Sequence, residues 1–353
     1  MPKKKIHLEF LRFLAILLVI FNHTGENGYL YFTTVPDSPL YLLYFFLSVL
    51  CKIAVPLFWM VSGALLLDKE EDIKTVFRHR FLRMGLVLAV FSFGYYLYSA
   101  KGNPDFRFSP VYFLELLYST NLAPAFWHLY AYLGMLIILP VLRKIAKNLT
   151  NEEFMYFFAA MLLLRGLLPV LEYAVWHGER TVNPNFLANF FSYDVVFFLM
   201  GYFLEYRVRP TELKKSRALA LLLLGAAAIA VMMGGTQLRL NDGGLMTDAE
   251  GEMFYAGLLM VPCAAVFYSA RVFFGKADEN SAFSRIIITL GSVSFGVMLL
   301  EHFVRCETRF ALTALCSILP EFTSTVLWTL LVYIIAGAAA WLLRKIPGVN
   351  KLL

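Results

Sequence analysis

Residues 9–23 read EFLRFLAILLVIFNH, an apolar run that carries a carboxylate and a guanidinium near its start and an imidazole at its end. Arg12 and His23 are eleven residues apart, which in an α-helix places them on one face, roughly 16 Å apart along the axis. Glu9 precedes Arg12 on the same face and can pair with it. The imidazole can transfer a proton near neutral pH, and the guanidinium can hold an anion. A snorkelling arginine and an interfacial histidine are the ordinary alternative.

The composition indicates which kind of element must position these residues. Of the 353 residues, 59% are hydrophobic and 16% are charged, whereas soluble domains have about 45–50% apolar and about 25% charged residues. Apolar runs of about 20 residues recur along the chain, which is typical of an all-α, polytopic integral membrane protein in a lipid bilayer. We predict about ten transmembrane helices, at 8–24, 39–67, 81–99, 124–143, 153–176, 186–206, 218–233, 253–274, 285–304 and 322–343.

Two details of these helices can be predicted as well. The second span is too long for a straight helix, and Pro56 is expected to kink it. Residues 109–119, with the sequence SPVYFLELLYS, are expected to form a short helix along the membrane surface.

Ten spans put both termini on one side of the membrane, and the basic residues indicate which side that is. Of the 31 Lys and Arg residues, 22 lie in the terminal segments and the connections on that side, and six lie in the opposite loops. The positive-inside rule therefore places both termini in the cytoplasm. Because the net charge of +6 comes mainly from these connections, it does not indicate a nucleic-acid partner. The basic N-terminus lacks a small-residue cleavage site, which favours a retained first span over a signal peptide.

In this topology three histidines, His23, His128 and His302, fall near the outer ends of their spans. Three imidazoles could form a zinc site, but no HxH or HxxxH spacing supports one, so no metal is predicted. The cysteines form no CxxC pair. Cys306 and Cys316 flank one loop and could form a disulfide there.

The opening stretch also resembles the start of acyltransferase family 3, membrane acyltransferases that modify cell-surface sugars and peptidoglycan. In that family an acidic residue, an arginine and a histidine have the spacing of Glu9, Arg12 and His23, although the first residue is usually aspartate. Later segments resemble the family in its order, namely VPLFWMVSGALLL (55–67), RHRFLR (78–83), FWHLYAYLGMLIILPVL (126–142), FFLMGYFL (197–204) and SVSFGVMLLEHF (292–303).

The resemblance implies a single transmembrane domain over residues 1–353, without an extracytoplasmic extension, in the bacterial inner membrane. It also implies O-acyl transfer, expected to be O-acetyl transfer, from cytoplasmic acyl-CoA to an extracytoplasmic carbohydrate acceptor. The expected co-substrate is acetyl-CoA. A transporter or exporter of a glycan or amino acid is the alternative, and a membrane sensor is a third, weaker one. The sequence identifies neither the acceptor, nor the acyl chain length, nor the oligomeric state.

The resemblance also assigns roles to the candidate residues. His23 is the expected base toward the acceptor hydroxyl, and His302 is a second base or an oxyanion donor. Arg12, with its rotamer fixed by Glu9, is expected to hold the pantetheine or pyrophosphate of the donor. The CoA phosphates are expected to bind a cytoplasmic cluster, whose alternative role is only topological, formed by Arg78, Arg80 and Arg83.

Several other polar side chains in the spans remain open. Ser62 could carry an acyl group, but it lies near the cytoplasmic end of its span, and next to Gly63 it fits close helix packing better. Glu301 directly precedes His302 and points about 100° away from it, so it is not expected to orient that imidazole. The sequence does not predict the pairing of four ionisable residues, Lys52, Arg165, Glu172 and Asp194.

Overall fold

The computed structural model describes residues 5–183, 192–244, 257–278 and 280–353, and within these ranges every regular element is helical. The all-α prediction is confirmed for this part of the chain. The helices of eight or more residues are α1 Ile6–Asn22, α2 Tyr41–Cys51, α3 Ala54–Leu66, α4 Ile73–Tyr98, α5 Pro110–Ser119, α6 Pro124–Asn148, α7 Asn151–Trp176, α8 Tyr193–Tyr202, α9 Lys215–Asn241, α10 Met260–Phe274, α11 Ala282–Glu307, α12 Arg309–Cys316 and α13 Glu321–Leu343.

Many of these helices are long and apolar enough to span a bilayer. Among the described residues, seven such candidate spans are found, namely α2 with α3 as one unit, α4, α6, α7, α9, α11 and α13. Each coincides with a predicted span. Three further predicted spans coincide with the shorter helices α1, α8 and α10, and parts of two of them, 186–191 and 253–256, lie outside the described residues. The chain is thus a multi-pass helical membrane protein. The predicted short helix at 109–119 is α5.

Pro56 explains why the second span consists of two helices. α2 ends at Cys51 and α3 begins at Ala54, with the break at Lys52 and Ile53. Proline has no backbone N–H, and its ring crowds the carbonyl group four residues earlier, which here belongs to Lys52. The predicted kink is confirmed, and its turning point lies one turn before the proline.

A second proline distorts α7 in the same way. The helix widens to a π-helical segment over Leu163–Leu167, since Pro169 cannot donate to the Arg165 carbonyl four residues earlier. The N–H of Gly257 donates to that carbonyl instead, at 3.2 Å. A Cβ atom at Gly257 would collide with the Arg165 backbone, so this contact requires glycine.

Glycine also permits a close helix crossing. α3 packs against α8, with Gly63 facing the backbone of Phe198 and Gly201 facing the backbone of Met60. A Cβ atom at either glycine would collide with the opposing carbonyl oxygen. The interpretation of Gly63 as a helix-packing residue is confirmed.

α1 lies centrally and packs against α3, α10, α11 and α13. Gly291 of α11 faces Glu9 of α1, and a Cβ atom at Gly291 would collide with Glu9. This contact holds the charged start of α1 close to α11. The apolar residues that α1 buries most completely are Leu8, Leu11, Ala15, Ile16 and Ile20.

Candidate active site

His23 lies at the C-terminal end of α1 and pairs with a carboxylate of α11. Its Nδ1 lies 2.9 Å from Oε1 of Glu301, whose side chain is 0% exposed. An ionised carboxylate only accepts hydrogen bonds, so Nδ1 is the donor to Glu301, and in the neutral imidazole the lone pair then lies on Nε2. A histidine in this state is ready to act as a base through Nε2.

Arg305, one turn after Glu301 on α11, completes the arrangement. Its Nε donates to Oε2 of Glu301 at 2.6 Å, and its Nη1 donates to the backbone oxygen of His23 at 2.8 Å. The arginine therefore compensates the buried carboxylate and ties the end of α1 to α11. Sequence reasoning missed both Glu301 and Arg305 as partners of His23. The available signal was a carboxylate inside an apolar helix with an arginine four residues later.

His302 shares Arg305 with His23 but does not line the same cavity. Its Nδ1 accepts from Nη2 of Arg305 at 3.2 Å, and its Nε2 lies 3.9 Å from Sγ of Cys306. Among the described residues, His302 is not part of the lining of the cavity that His23 faces. The disulfide that the sequence left possible between Cys306 and Cys316 is not formed, since both residues are exposed free cysteines.

His23 lines a cavity of about 690 Å³, which we call the outer cavity because the predicted topology places this end of α1 outside. Three of the ionisable residues whose pairing the sequence left open, Lys52, Arg165 and Asp194, line the same cavity. The fourth, Glu172, does not belong to this lining. Its carboxylate accepts a hydrogen bond from the backbone N–H of Val182 at 2.8 Å. The break before α3 explains the position of Lys52, and the distorted segment of α7 explains that of Arg165.

His128 lines this outer cavity as well, packed against an indole ring. The ring centroids of His128 and Trp59 are 4.5 Å apart. Within the described part of the chain, the buried Nδ1 of His128 and Nε1 of Trp59 have no hydrogen-bond partner. Because unpaired buried polar atoms are costly, both are candidates for contact with a bound molecule.

An inner cavity of about 490 Å³ lies on the other side of His128 and contains the charged start of α1. Nη1 of Arg12 donates to Oε1 of Glu9 at 2.9 Å, which confirms the predicted pairing. The two cavities share three lining residues, Phe58, His128 and Met298. The remaining polar lining of the inner cavity consists of Ser62, Arg83, Tyr132, Ser292, Ser294 and Arg344.

The predicted phosphate cluster is divided by the structure. Arg83 lines the inner cavity, whereas Arg78 is exposed and Arg80 is bound to Glu71. Arg80 donates from Nε to the Glu71 carboxylate at 2.7 Å, and Arg143 of α6 donates to the same carboxylate at 2.8 Å. The expectation that Arg78 and Arg80 join Arg83 at one anion site is therefore not supported by their positions.

The clamp around Glu71 has a structural role. Hydrogen bonds from Arg80 and then from Arg143 lower the pKa of the Glu71 carboxyl from its ordinary value of 4.5 to about 2. Nε of Arg143 also donates to the backbone oxygen of Leu66 at 2.9 Å. One carboxylate thus connects the end of α3, the start of α4 and the end of α6.

A multi-pass helical bundle with a carboxylate-oriented histidine at one cavity and arginines at another defines a membrane protein equipped for proton transfer and anion binding. The chain matches the family described as acyltransferase domain, acyltransferase family 3, over residues 6–345, and it belongs to that family. It is therefore a membrane acyltransferase. Searches among curated proteins and among solved structures found no match.

Proposed function

We propose that the protein transfers an acyl group, expected to be acetyl, from cytoplasmic acyl-CoA to a hydroxyl group of an extracytoplasmic glycan. The observation that carries the proposal is the His23–Glu301 pair, in which Nδ1 of His23 bonds the carboxylate while the imidazole lines the outer cavity. The acyl donor, the acceptor and a location in the bacterial inner membrane are parts of this proposal.

The proposed topology has ten spans with both termini in the cytoplasm. It rests on the concentration of 22 of the 31 Lys and Arg residues in the terminal segments and connections of one side. In this orientation the cavity of Arg12 faces the cytoplasm, and the cavity of His23 faces outward. Donor and acceptor would then enter from opposite sides of the membrane.

The inner cavity suits the anionic part of the donor. Arg12 and Arg83 line it, and guanidinium groups bind phosphate oxygens through paired, charge-assisted hydrogen bonds. The pantetheine arm would then extend past Phe58, His128 and Met298, which line both cavities. This path brings the thioester to the outer cavity while the nucleotide stays on the cytoplasmic side.

The proposed reaction is a general-base attack. Nε2 of His23 removes the proton from the acceptor hydroxyl as its oxygen forms a bond to the thioester carbonyl carbon. Glu301 and Arg305 keep the imidazole oriented, and the carboxylate stabilises the imidazolium that forms. The carbon–sulfur bond then breaks, and the CoA thiolate takes the proton from His23. The products are the acyl ester of the glycan and free CoA.

Two side chains of the outer cavity are suited to bind the carbonyl oxygen of the thioester. The indole Nε1–H of Trp59 is a donor only, and within the described residues it has no partner. His128 packs against that ring and also lines the cavity. Donors of this kind stabilise the negative charge that develops on the oxygen during attack.

The direct test is acyl transfer by the purified full chain in lipid nanodiscs. Release of CoA thiol from acetyl-CoA should depend on an added polysaccharide, and mass spectrometry should find an acetyl ester on the polysaccharide. The His23→Ala protein is the negative control for both CoA release and acetyl ester formation. Absence of acetyl transfer to every class of surface glycan tested, with a folded protein that binds acetyl-CoA, would reject a glycan as acceptor. Absence of acetyl-CoA binding would reject the donor.

A further inference from the structure

Arg344, at the end of α13, lines the inner cavity although no sequence motif identifies it. Its Nη2 donates to the backbone oxygen of Ser292 at 2.6 Å and to that of Leu353 at 3.1 Å. Its Nε is buried and, among the described residues, has no hydrogen-bond partner. The guanidinium is therefore held in place by the oxygens of Ser292 and Leu353 at the wall of the cavity.

Arg83 is held in a similar way by the neighbouring residue Leu352. Its Nη2 donates to the backbone oxygen of Leu352 at 3.1 Å. Adjacent backbone oxygens of one segment thus orient the two guanidiniums of Arg83 and Arg344. The Leu352 oxygen is a neutral carbonyl and does not compensate the charge of Arg83, whereas the Leu353 oxygen belongs to the carboxylate of the last residue and pairs with Arg344.

The charged lining of the inner cavity has an excess of positive charge. Among the described residues its charged side chains are Glu9, Arg12, Arg83 and Arg344, and the carboxylate of Leu353, the last residue of the sequence, also belongs to the lining. Glu9 is bonded to Arg12 at 2.9 Å and Leu353 to Arg344 at 3.1 Å, so the three guanidiniums exceed the two carboxylates by one charge and, among the described residues, Arg83 has no bonded carboxylate. Partly buried cations are stabilised by a counter-anion, and two such groups side by side suit a ligand with more than one negative charge.

We propose that Arg344 and Arg83 form a two-arginine clamp for the phosphate groups of the donor, with Arg344 as a binding residue for this substrate. The inference rests on acyl-CoA being the donor, as proposed above. In this proposal Arg344, from the other end of the chain, takes the phosphate-binding role that the sequence assigned to Arg80, since Arg80 is bonded to Glu71. The ligand chemistry is a phosphate or diphosphate ester, recognised by guanidinium hydrogen bonds.

The test separates recognition of phosphate from support of the fold. Binding of CoA, and of pantetheine as the fragment without phosphates, is measured with purified full-length protein in nanodiscs. Arg344→Gln should weaken CoA binding about 10- to 100-fold, as expected for loss of a charged hydrogen-bond partner, and leave pantetheine binding nearly unchanged. Arg285→Gln is the matched control, because Arg285 is an exposed arginine of α11 outside the cavity lining.

A second measurement uses the wild-type protein, so the proposal can still be tested if Arg344→Gln does not fold. CoA should protect Arg344 from modification by phenylglyoxal, whereas pantetheine should not, and Arg285 should react equally in both cases. Unchanged CoA affinity in folded Arg344→Gln, or no protection of Arg344, overturns the two-arginine clamp but leaves acyl-CoA as the proposed donor. Equal weakening of CoA and pantetheine assigns Arg344 a structural role and overturns it as well. A wild-type protein that binds no CoA overturns both the clamp and the proposed donor.

Discussion

At the residue scale, the central feature is a set of three hydrogen bonds that joins His23, Glu301 and Arg305 to one another. Glu301 accepts from His23 and from Arg305, and Arg305 also donates to the His23 backbone. Each group therefore fixes the next, and the imidazole keeps one tautomer and one direction. This arrangement makes different predictions for the base and for the residue that positions it.

Replacement of His23 by alanine should abolish most acyl transfer without affecting donor binding. General-base catalysis contributes about 10²–10⁴-fold, and the loss of turnover should fall in that range, because Arg12 and Arg83 in the other cavity are untouched. The measurement is CoA release together with CoA affinity. Near-normal turnover in a folded, membrane-inserted protein would exclude His23 as the base, and His128 or His302 would then have to be tested for that role.

Glu301→Gln should lower turnover by about 10²-fold or more, because the amide still fills the site but does not stabilise a protonated His23. The double variant with His23→Ala should be no slower than His23→Ala alone, since the two residues act as a unit. Independent, multiplying effects of the two substitutions would contradict a positioning role for Glu301. Thermal denaturation of each variant monitors the fold.

The two halves of this site differ in how far the sequence predicted them. Glu9 and Arg12 are three residues apart on one helix, so helical geometry alone predicts their pairing. His23 and Glu301 are separated by 278 residues, and their pairing depends on how α1 packs against α11. Helical geometry excluded Glu301 as a partner of its neighbour His302, but it contains no information about the partner on another helix.

At the scale of helices, small residues and prolines determine where the site residues lie. Pro56 places Lys52 at a helix break, and Gly63 and Gly201 allow α3 to approach α8 closely. The sequence predicted the kink and the Ser62–Gly63 packing surface because both follow from local chemistry. It did not predict the short helix α12 or the π-helical segment of α7, whose freed carbonyl is satisfied by a distant residue, Gly257.

Gly201→Ala should destabilise the bundle, because the added methyl group would collide with the Met60 carbonyl oxygen. Overpacking of this kind costs about 1–3 kcal/mol, visible as a lower midpoint of thermal denaturation in detergent. Gly94→Ala is the control, since a Cβ atom there has no atom within 4 Å and alanine favours helix. A midpoint for Gly201→Ala equal to that of Gly94→Ala would contradict the tight crossing.

The clamp at Glu71 should make the fold sensitive to acid. The carboxyl has its pKa lowered from 4.5 to about 2, so its stabilising effect is fully present above pH 4.5 and is lost as the pH falls toward 2. The denaturation midpoint of Glu71→Gln should lie below that of the wild type at pH 7, and the two should converge below pH 4.5. Asp68→Asn, which changes a nearby exposed carboxylate, should show no such convergence. A constant gap between wild type and Glu71→Gln would reject the ion-pair explanation.

At the scale of the whole molecule, the two cavities divide the proposed reaction between the two sides of the membrane. α1 contributes Arg12 to one cavity and His23 to the other, and both cavities include Phe58, His128 and Met298 in their walls. The sequence predicted this order along α1. It did not predict the cavities themselves, because their walls combine residues from many helices whose packing the apolar pattern does not specify.

The proposed roles of the two cavities require one orientation of the chain in the membrane, and cysteine labelling can determine that orientation. In a background with the exposed Cys306 and Cys316 replaced by serine, new cysteines are introduced at Glu179 and, separately, at Thr211, both of which are exposed. The excess of basic residues around 207–217 places Thr211 in the cytoplasm and the loop of Glu179 outside. A membrane-impermeant maleimide should therefore label Glu179→Cys in intact cells, and Thr211→Cys only after permeabilisation. The reverse pattern would put the arginine-lined cavity outside, away from cytoplasmic CoA, and would overturn the proposed direction of acyl transfer even if the chemistry at His23 were correct.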